Sequence, residues 1–394
     1  MIIKPRIRGF ICTTAHPKGC AAHVDEQIAV VKARGTFANG PGRALVIGAS
    51  GGYGLASRIV NAFGAGAATL GVSFEKAPEG DRTATAGWYN NRAFEARAHA
   101  EGLYAKTLDG DAFSDQMKAQ VIERIKSDLG QIDLLVYSLA SPVRQHPRTG
   151  VLYRSAIKPI GNTYHVKTLS VDRGVVQEVD LEPATADEIA ATVAVMGGED
   201  WEFWVDALQA AGVLAPGFKT MSYTYIGTDL TWPIYWHATL GKAKEDLDRA
   251  ARAITKRLAA LKGEARIAVL KFVVSQASSA IPVVPLYGSL LYRVMKDAGV
   301  HETTIEQIDR LFRTQVYAGT PQRLDNEQRI RMDDIELTDA IQADVKRRWP
   351  IVSTENLATL ADLDGFRADF LKIFGFGFDG VDYEEDLDPA LADL

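Results

Sequence analysis

The chain of 394 residues is 47% hydrophobic and 24% charged, a composition that suits a folded protein with a large core. Its formal net charge of −6 argues against a nucleic-acid or anionic-membrane partner held by bulk charge, and its two cysteines exclude a disulfide framework. No apolar segment of signal-peptide length follows the basic residues Lys4, Arg6 and Arg8, so we expect a cytoplasmic protein.

Short apolar runs alternate with helical patterns over the first third of the chain. The apolar runs predict buried strands at residues 44–47, 67–74, 103–108 and 132–138. The segments between them predict helices at residues 53–64, 90–101 and 113–129. Such alternation with short connections indicates an α/β fold of Rossmann type, with a parallel sheet and helices on both faces.

The pattern changes after the fourth predicted strand. Residues 145–220 hold short polar and β-branched runs, which predict an insertion or substrate flap. A helix is then predicted over residues 240–262 and a strand over 266–274. Residues 272–292 carry no charge and are long enough to cross a bilayer, but the prolines within them favour a buried strand followed by a binding loop.

These elements predict one folded unit over residues 1–394 rather than separate domains. Its parts in chain order are an N-terminal extension (1–43), a core (44–144), the flap insertion (145–220), and a part (221–394) that ends in a C-terminal extension.

Residues 48–54 read Gly-Ala-Ser-Gly-Gly-Tyr-Gly and lie between a predicted strand and a predicted helix. Glycines at these spacings permit a tight turn and let backbone N–H groups and the helix N-terminus approach a pyrophosphate. We therefore predict that the core 44–144 binds a dinucleotide. The predicted contacts in this loop are Gly48, Ala49, Ser50, Gly51, Gly52 and Tyr53.

Polar residues after the next strands support the same prediction. Glu75, next to Phe74, ends the second strand, where a carboxylate can bind the ribose hydroxyls. The carboxylate would repel the 2′-phosphate of NADPH, so NADH is the predicted cofactor. The other predicted contacts follow the third and fourth strands: Asp111 and Ala112 beside the adenine, and Leu139 and Ala140 beside the second ribose.

The same loop also matches Gly48-x-Ser50-x-Gly52, the nucleophile elbow of serine hydrolases. This alternative needs a histidine later in the chain, and His237 and His301 are available. A third glycine at position 54 and an acidic residue after the second strand favour the dinucleotide instead.

A tyrosine hydroxyl can donate a proton to a developing oxyanion, and a nearby ammonium makes the donation easier. The segment 223–244 offers both residue types: Tyr223, Tyr225 and Tyr235, followed by Lys242 and Lys244. Lys242 lies seven residues after Tyr235, about two helical turns, on the same helix face. Lys244 lies nine residues after it and can meet it only if Tyr235 precedes the regular helix or the turn near Gly241 is distorted.

Five stretches spread over most of the chain carry a family resemblance. They are IIKPRIRGFICTTAHPKGC at the N-terminus, VIGASGGYG at 46–54, Tyr225-Ile226-Gly227, Tyr235-x8-Lys244, and KFVVSQASSAIP at 271–282. In these stretches the chain resembles the trans-2-enoyl-ACP/CoA reductases with a Tyr-x8-Lys pair, which are relatives of the short-chain dehydrogenases.

The resemblance implies NADH-dependent reduction of the carbon–carbon double bond of a trans-2-enoyl thioester, the final reduction step of fatty acid elongation. The acyl carrier would be acyl carrier protein or coenzyme A. Tyr235 would donate the proton, Lys244 would bind the nicotinamide ribose and support the tyrosine, and Tyr225 would contact the thioester end. Main-chain contacts to the nicotinamide are implied for Val273, Val274 and Ser275. The resemblance also implies a monomer without flavin or metal.

Several alternatives stay open. The same tyrosine–lysine machinery would serve a carbonyl or alcohol oxidoreductase of the short-chain dehydrogenase type, and a non-catalytic NAD-binding sensor is a third hypothesis. The aromatic residues Trp201, Phe203, Trp204, Trp232 and Trp236 are either core or a wall for an acyl chain. A basic patch for an acidic carrier protein could include Lys118, Lys126, Lys256 and Lys262.

The cysteines and histidines near the N-terminus need one further test. Cys12, His16, Cys20 and His23 are the residue types that bind zinc, but their spacing is not that of a zinc finger or ribbon. We predict no metal site.

Overall fold

The computed structural model describes residues 1–8, 11–139 and 141–390. The strands in chain order are β1 (Ile7–Arg8), β2 (Ile11–Cys12), β3 (Arg43–Ile47), β4 (Ala68–Ser73), β5 (Ala105–Asp109), β6 (Ile132–Tyr137), β7 (Val143–Gln145), β8 (Leu152–Arg154), β9 (Tyr164–Ser170), β10 (Val175–Leu181), β11 (Leu214–Thr224), β12 (Glu264–Val269) and β13 (Ile330–Arg331).

Helices connect and cover these strands. The α-helices are α1 (Pro17–Ala33), α2 (Gly52–Ile59), α3 (Ala86–Ala100), α4 (Asp115–Arg124), α5 (Ala186–Met196), α6 (Glu199–Ala210), α7 (Thr239–Arg257), α8 (Gln276–Ser279), α9 (Val284–Asp297), α10 (Thr304–Leu311), α11 (Asp339–Arg348), α12 (Leu357–Leu360) and α13 (Leu363–Lys372). Turns of π-helix extend α2, α4 and α10, and a 3₁₀ turn extends α7.

Seven strands form one sheet in the order β13-β12-β11-β6-β3-β4-β5, and every neighbouring pair is parallel. Alternate side chains of β3 enter two separate cores, because successive strand residues point to opposite faces. Ala44 and Val46 pack with helices α1, α2, α3 and α10. Leu45 and Ile47 pack with α4, α6 and α7 on the other face. The predicted Rossmann-type sheet with helices on both faces is confirmed.

The strand order defines where this fold binds ligands. The chain runs from β3 outward through β4 to β5 and then returns to place β6 on the other side of β3. Ligands of such sheets bind in the crevice at the carboxyl ends of the strands where the order reverses. Here that crevice lies at the carboxyl ends of β3 and β6, which are followed by Gly48 and Ser138. The two residues meet closely, since a Cβ at Gly48 would lie 2.1 Å from the Ser138 carbonyl oxygen.

The predicted insertion differs from the structure at its C-terminal end. Within residues 145–220, β8 completes the β7–β8 hairpin, and β9 pairs with β10 in a second antiparallel ribbon. Helix α6, however, buries Trp201 and Trp204 completely against the sheet, and the sheet strand β11 already begins at Leu214. The irregular part therefore ends before α6. Polar residues around the buried tryptophans hide this boundary in the sequence.

The strand predicted at 266–274 also ends too late. Strand β12 stops at Val269, and residues 272–292 contain α8 and most of α9 instead of a buried strand and loop. Helix α9 begins with Val284 and Pro285, where a proline is tolerated because the first helical N–H groups have no intrahelical partner. No helix in the part of the chain that the structure describes is both long and apolar enough to cross a membrane.

The two ends of the chain pack together beside the core. The Met1 amino group donates to the Leu387 carbonyl oxygen at 2.5 Å, and Lys18 pairs with Glu385 at 2.6 Å. Helix α1 approaches the C-terminal segment at its backbone, because a Cβ at Gly375 would lie 2.5 Å from the Cys20 nitrogen. The N-terminal and C-terminal extensions thus form one layer of the protein.

Candidate active site

The glycine loop after β3 has the backbone that a pyrophosphate requires. Gly48 and Gly52 adopt φ of 82° and 50°, which side chains other than glycine rarely tolerate. A Cβ at Gly54 would lie 1.9 Å from the Gly48 carbonyl oxygen, so only glycine lets α2 approach the strand this closely. Gly51 and Gly52 are exposed at the start of α2, where free N–H groups and the helix dipole favour an anion.

Glu75 lies against this loop. Its carboxylate accepts a hydrogen bond from the Ser50 hydroxyl at 2.5 Å and a second one from the Thr85 hydroxyl. The neighbouring Phe74 side chain is 81% exposed. The arrangement places a negative charge beside the predicted pyrophosphate site, as a ribose contact requires.

The Ser50 contact also bears on the hydrolase alternative. The Ser50 hydroxyl donates to a carboxylate, and among residues 1–8, 11–139 and 141–390 no histidine hydrogen-bonds to it. A serine nucleophile needs such a base. The geometry therefore favours the dinucleotide loop.

The turn after β5 carries Asp111 and Ala112, the residues predicted to contact the adenine. The Asp111 carboxylate accepts from the Phe113 backbone N–H at 2.9 Å, which shapes the turn. The Ala112 carbonyl oxygen accepts from the Lys118 ammonium at 3.2 Å and from the Trp204 indole at 3.1 Å.

A buried ion pair holds this turn. Lys118 pairs with Asp200 of α6 at 2.9 Å, with side chains only 4% and 2% exposed, and the Tyr137 hydroxyl donates to the same carboxylate at 3.0 Å. Burial raises the pKa of Asp200. Lys118 therefore cannot belong to a surface patch, as the sequence had suggested, and neither it nor Asp200 shows a local sequence signal for this role.

Two further predicted cofactor contacts follow β6. Leu139 is half-buried next to the core and lies at the crevice between β3 and β6. Ala140 lies outside the described residues.

Tyr235 lies in a turn that precedes the regular helix α7. Its backbone carbonyl accepts from the Gly241 N–H at 2.9 Å, so the turn folds back onto the first residues of the helix. A Cβ at Gly241 would lie 1.7 Å from the Trp236 carbonyl oxygen, which makes glycine necessary here. Tyr235 therefore precedes the regular helix, which is the condition under which Lys244 could meet the tyrosine.

The two candidate lysines have different surroundings. Lys242 is exposed and pairs with Glu245 at 2.9 Å. Lys244 is half-buried, and within the described part of the chain its ammonium has no hydrogen-bond or ion-pair partner. Burial lowers the pKa of Lys244 to about 8, and the nearby Asp248 carboxylate offsets part of this effect. Lys244 is thus the cation that remains available to a bound molecule.

Four tyrosines of the predicted site contact one another in two pairs. The Tyr225 and Tyr235 rings meet edge to face, with centroids 5.1 Å apart. Burial raises the pKa of Tyr235, so its hydroxyl keeps its proton at neutral pH. Tyr53, from the glycine loop, donates to the Lys271 carbonyl oxygen at 3.1 Å and stands against Tyr223. Tyr53 also interacts electrostatically with Tyr235, so the dinucleotide loop lies near the predicted catalytic tyrosine.

Val273, Val274 and Ser275 follow β12 at the same edge of the sheet, in a non-helical segment. The Val273 carbonyl oxygen accepts from the Ser278 hydroxyl at 3.0 Å, and the Val274 N–H donates to the Tyr292 hydroxyl at 3.2 Å. Ser275 caps α8 through its side chain. These bonds fix the main chain of the segment, and among the described residues the Val273 N–H and the Val274 carbonyl oxygen have no hydrogen-bond partner.

Two other groups of residues have structural roles. Trp201 and Trp204 are fully buried in the core beneath β6 and β11, so they do not line an acyl site. His16, from the possible zinc cluster, packs against the Tyr383 ring with centroids 4.8 Å apart. The described residues contain no group of three histidine, cysteine, aspartate or glutamate side chains that could hold a metal ion.

A glycine loop at the reversal point of a parallel sheet, with a buried tyrosine and a lysine that has no partner in the part of the chain that the structure describes, is typical of a dinucleotide-dependent oxidoreductase. Residues 82–317 match the family described as trans-2-enoyl-CoA reductase catalytic region, and residues 2–80 match the NAD(P)H binding domain of trans-2-enoyl-CoA reductase. The chain belongs to the trans-2-enoyl-CoA reductase family.

Individual relatives are similar to this chain in sequence over almost its whole length. The enoyl-acyl-carrier-protein reductase (NADH) of Edwardsiella ictaluri is 58% identical over 389 residues, covering 99% of this chain and 98% of the relative. The protein of the same name from Serratia proteamaculans is 59% identical over 387 residues, covering 98% and 97%.

Solved structures of the same family are also similar to this chain. The trans-2-enoyl-CoA reductase of Treponema denticola in complex with NAD is 48% identical, with a TM-score of 0.95 and 98% of each chain covered. That of Clostridium acetobutulicum with NADH is 41% identical, also with a TM-score of 0.95, covering 99% of this chain and 98% of that one. The prediction of an NADH-dependent enoyl reductase is confirmed.

Residues 324–387 match a family described as enoyl reductase FAD binding domain, which raises the question of whether this segment could hold a flavin. Its aromatic side chains Phe366, Phe370, Phe374 and Phe376 are at most 6% exposed and pack in the core. Its glycine at 375 contacts the backbone of α1 rather than an open cradle. The residues present do not fit a flavin, and we derive no step through one.

Proposed function

We propose that this chain reduces trans-2-enoyl groups carried on acyl carrier protein, with NADH as the hydride source. The observation that carries the proposal is a buried Tyr235 just before α7, followed on that helix by Lys244, whose ammonium has no partner among the described residues, in a chain whose glycine loop contacts Glu75. The relatives from Edwardsiella and Serratia, named as enoyl-acyl-carrier-protein reductases, support the carrier.

Each part of the cofactor has candidate partners in this chain. The glycine loop with Ser50 and Tyr53 would hold the pyrophosphate, and Glu75 the adenosine ribose. The remaining proposed contacts are Phe74, Asp111 and Ala112 for the adenine, Leu139 and Ala140 for the second ribose, and Val273, Val274 and Ser275 for the nicotinamide. When bound, NADH supplies a hydride to the β-carbon of the enoyl group.

Tyr235 would handle the oxygen of the thioester. Hydride addition to the β-carbon pushes negative charge onto the thioester carbonyl oxygen, and the Tyr235 hydroxyl stabilises this enolate by donating its hydrogen bond and then its proton. The buried hydroxyl keeps its proton until that charge develops. The enol then collapses to the saturated thioester with a proton on the α-carbon.

Lys244 would act on both the cofactor and the tyrosine. Its ammonium can donate to the nicotinamide ribose hydroxyls and lower the energy of the tyrosinate that forms when Tyr235 gives up its proton. Tyr225, whose ring contacts Tyr235, would border the thioester end of the substrate. One chain can supply all these residues, and we propose that the protein acts as a monomer.

The test is NADH oxidation with a trans-2-enoyl-acyl carrier protein, compared with crotonyl-CoA, with acetoacetyl-CoA and with a Tyr235→Phe variant. We expect oxidation with both enoyl thioesters, a lower KM for the carrier-protein form, no oxidation with the ketone, and loss of turnover in the variant. Oxidation with the ketone alone would instead identify a carbonyl reductase. NADH binding without any turnover would identify a sensor.

The carrier protein must approach the carboxyl edge of the sheet. Lys126, Lys256 and Lys262 are exposed, but Lys126 precedes β6, and Lys256 and Lys262 precede β12, so all three lie toward the amino edge. A carrier docked on them would face away from Tyr235. We therefore do not assign carrier binding to these lysines.

A further inference from the structure

Glu336 is a fully buried carboxylate that none of the predicted roles uses. It lies in the turn between β13 and α11 and is 0% exposed. Its oxygen Oε1 accepts from the Tyr225 hydroxyl at 2.8 Å and from the Tyr287 hydroxyl at 2.7 Å. Its oxygen Oε2 accepts from the Phe272 backbone N–H at 2.6 Å. A carboxylate with three short hydrogen bonds is a rigid anchor.

The three donors come from different elements of the fold. Tyr225 directly follows β11, Phe272 lies between β12 and the nicotinamide segment that starts at Val273, and Tyr287 belongs to α9. Strands β11, β12 and β13 are neighbours in the sheet. Tyr225, Phe272 and Glu336 follow the carboxyl ends of these three strands and therefore lie close together. Glu336 therefore bridges the side chain beside the thioester and the main chain beside the nicotinamide.

The two tyrosines that share Oε1 are not equivalent. Tyr287 is fully buried, whereas Tyr225 is only partly buried and its ring packs against the ring of Tyr235. Each hydroxyl has one proton, and in both tyrosines that proton is directed to the carboxylate. Of the two hydroxyls, only that of Tyr225 belongs to a residue with a proposed role at the thioester end of the substrate.

We propose that Glu336 is a positioning residue for enoyl reduction, which fixes the Tyr225 hydroxyl relative to the nicotinamide segment through its two carboxylate oxygens. The inference rests on the proposed role of Tyr225 at the thioester end. Glu336 itself need not touch the substrate. Its effect on the reaction passes through Tyr225.

Glu336→Gln separates the two halves of the bridge. A backbone N–H can only donate, so the amide oxygen of the glutamine must face Phe272, while its NH₂ group faces the two hydroxyls, which can turn and accept. The nicotinamide side is therefore kept, and the hydrogen bond at Tyr225 is reversed. We expect kcat/KM for the enoyl thioester to fall on the order of tenfold, and the Kd for NADH to change by less than about twofold.

The decisive comparison is a double-mutant cycle with Tyr225→Phe, because a role through Tyr225 must vanish when its hydroxyl is absent. In the Tyr225→Phe background, Glu336→Gln should cause little further loss of kcat/KM. Tyr287→Phe is the matched control, since it removes an equivalent hydrogen bond to the same oxygen, and its kcat/KM should stay within about twofold of the parent. Glu336→Asp, which keeps the charge but is too short to bridge, should also lower kcat/KM and provides a second variant.

The outcomes separate this inference from the proposed function. Additive losses in the cycle, or an equal loss in Tyr287→Phe, would overturn the role of Glu336 while the parent enzyme still reduces enoyl thioesters. A parent protein that does not oxidise NADH with any enoyl thioester would overturn the proposed function itself.

Discussion

The ring of Tyr235 meets the ring of Tyr225 edge to face, with an interplanar angle of 82° and centroids 5.1 Å apart. The contact joins the turn before α7 to the residue that follows β11. Tyr235 is only 8% exposed, so the residue is largely shielded from water. Edge-to-face packing fixes the orientation of both rings. The site is thus ordered before any substrate arrives.

Tyr235→Phe should lower kcat by roughly 10²-fold or more, because the proton donor of the reaction is removed. The Kd for NADH should change little, since the phenyl ring keeps the packing. The measurement is NADH oxidation with an enoyl thioester, together with NADH fluorescence for binding. Tyr223→Phe is the control, as the Tyr223 hydroxyl bonds to Ser57 in the core at 2.6 Å. Equal losses in the two variants would contradict the assignment.

Lys244→Met and Lys242→Met should differ sharply in turnover. Lys244 has a half-buried, unpaired ammonium among the described residues, whereas Lys242 is exposed and pairs with Glu245. We expect the first variant to lose on the order of 10²-fold in kcat/KM and the second to stay near the parent. Loss of activity only in the Lys242 variant would show that the shorter spacing is the catalytic one.

The pH profile of kcat/KM should fall on the alkaline side, with an apparent pKa of about 8 from Lys244. Burial disfavours the ammonium, so the pKa falls below its usual value, and the charge is present below the shifted pKa and lost above it. In Lys244→Arg the guanidinium stays charged, and the alkaline limb should move to higher pH. If the alkaline limb does not move in this variant, it reflects the titration of a group other than Lys244.

Glu75→Ala should relax the preference for NADH, because the carboxylate next to the loop no longer repels a 2′-phosphate. We expect the ratio of kcat/KM for NADPH to that for NADH to rise by about tenfold or more. Glu79→Ala is the control, as Glu79 is exposed in the following turn. An unchanged ratio in Glu75→Ala would remove Glu75 from cofactor discrimination.

Lys118→Met should lower the free energy of unfolding by about 3–5 kcal/mol, because Asp200 is left as an uncompensated buried charge. The Kd for NADH should rise as well, since the Ala112 carbonyl loses the ammonium that holds the adenine turn. Urea unfolding and NADH titration measure the two effects. Lys126→Met, on an exposed turn, should change stability by less than about 0.5 kcal/mol. A stable Lys118→Met variant would show that the pair is dispensable.

The fold class, the dinucleotide loop and the enzyme family could be predicted from the sequence. Buried parallel strands produce apolar runs of characteristic length, and phosphate binding requires glycines at local spacings, so both leave a contiguous signal. The predicted strands 44–47 and 132–138 agree with β3 and β6 within one residue. The roles of the individual site residues stay predictions.

Other features depended on the tertiary structure. Spacing along a regular helix favoured Lys242 over Lys244. Tyr235, however, lies in a turn before α7, where that spacing does not apply, and only the structure showed this. Lys118 and Asp200 are 82 positions apart, and Tyr225 and Glu336 are 111 positions apart. Contacts between such distant residues have no periodicity in the sequence. They exist because a parallel sheet brings the carboxyl ends of its strands to one edge, and only the folded chain reveals which polar groups meet there.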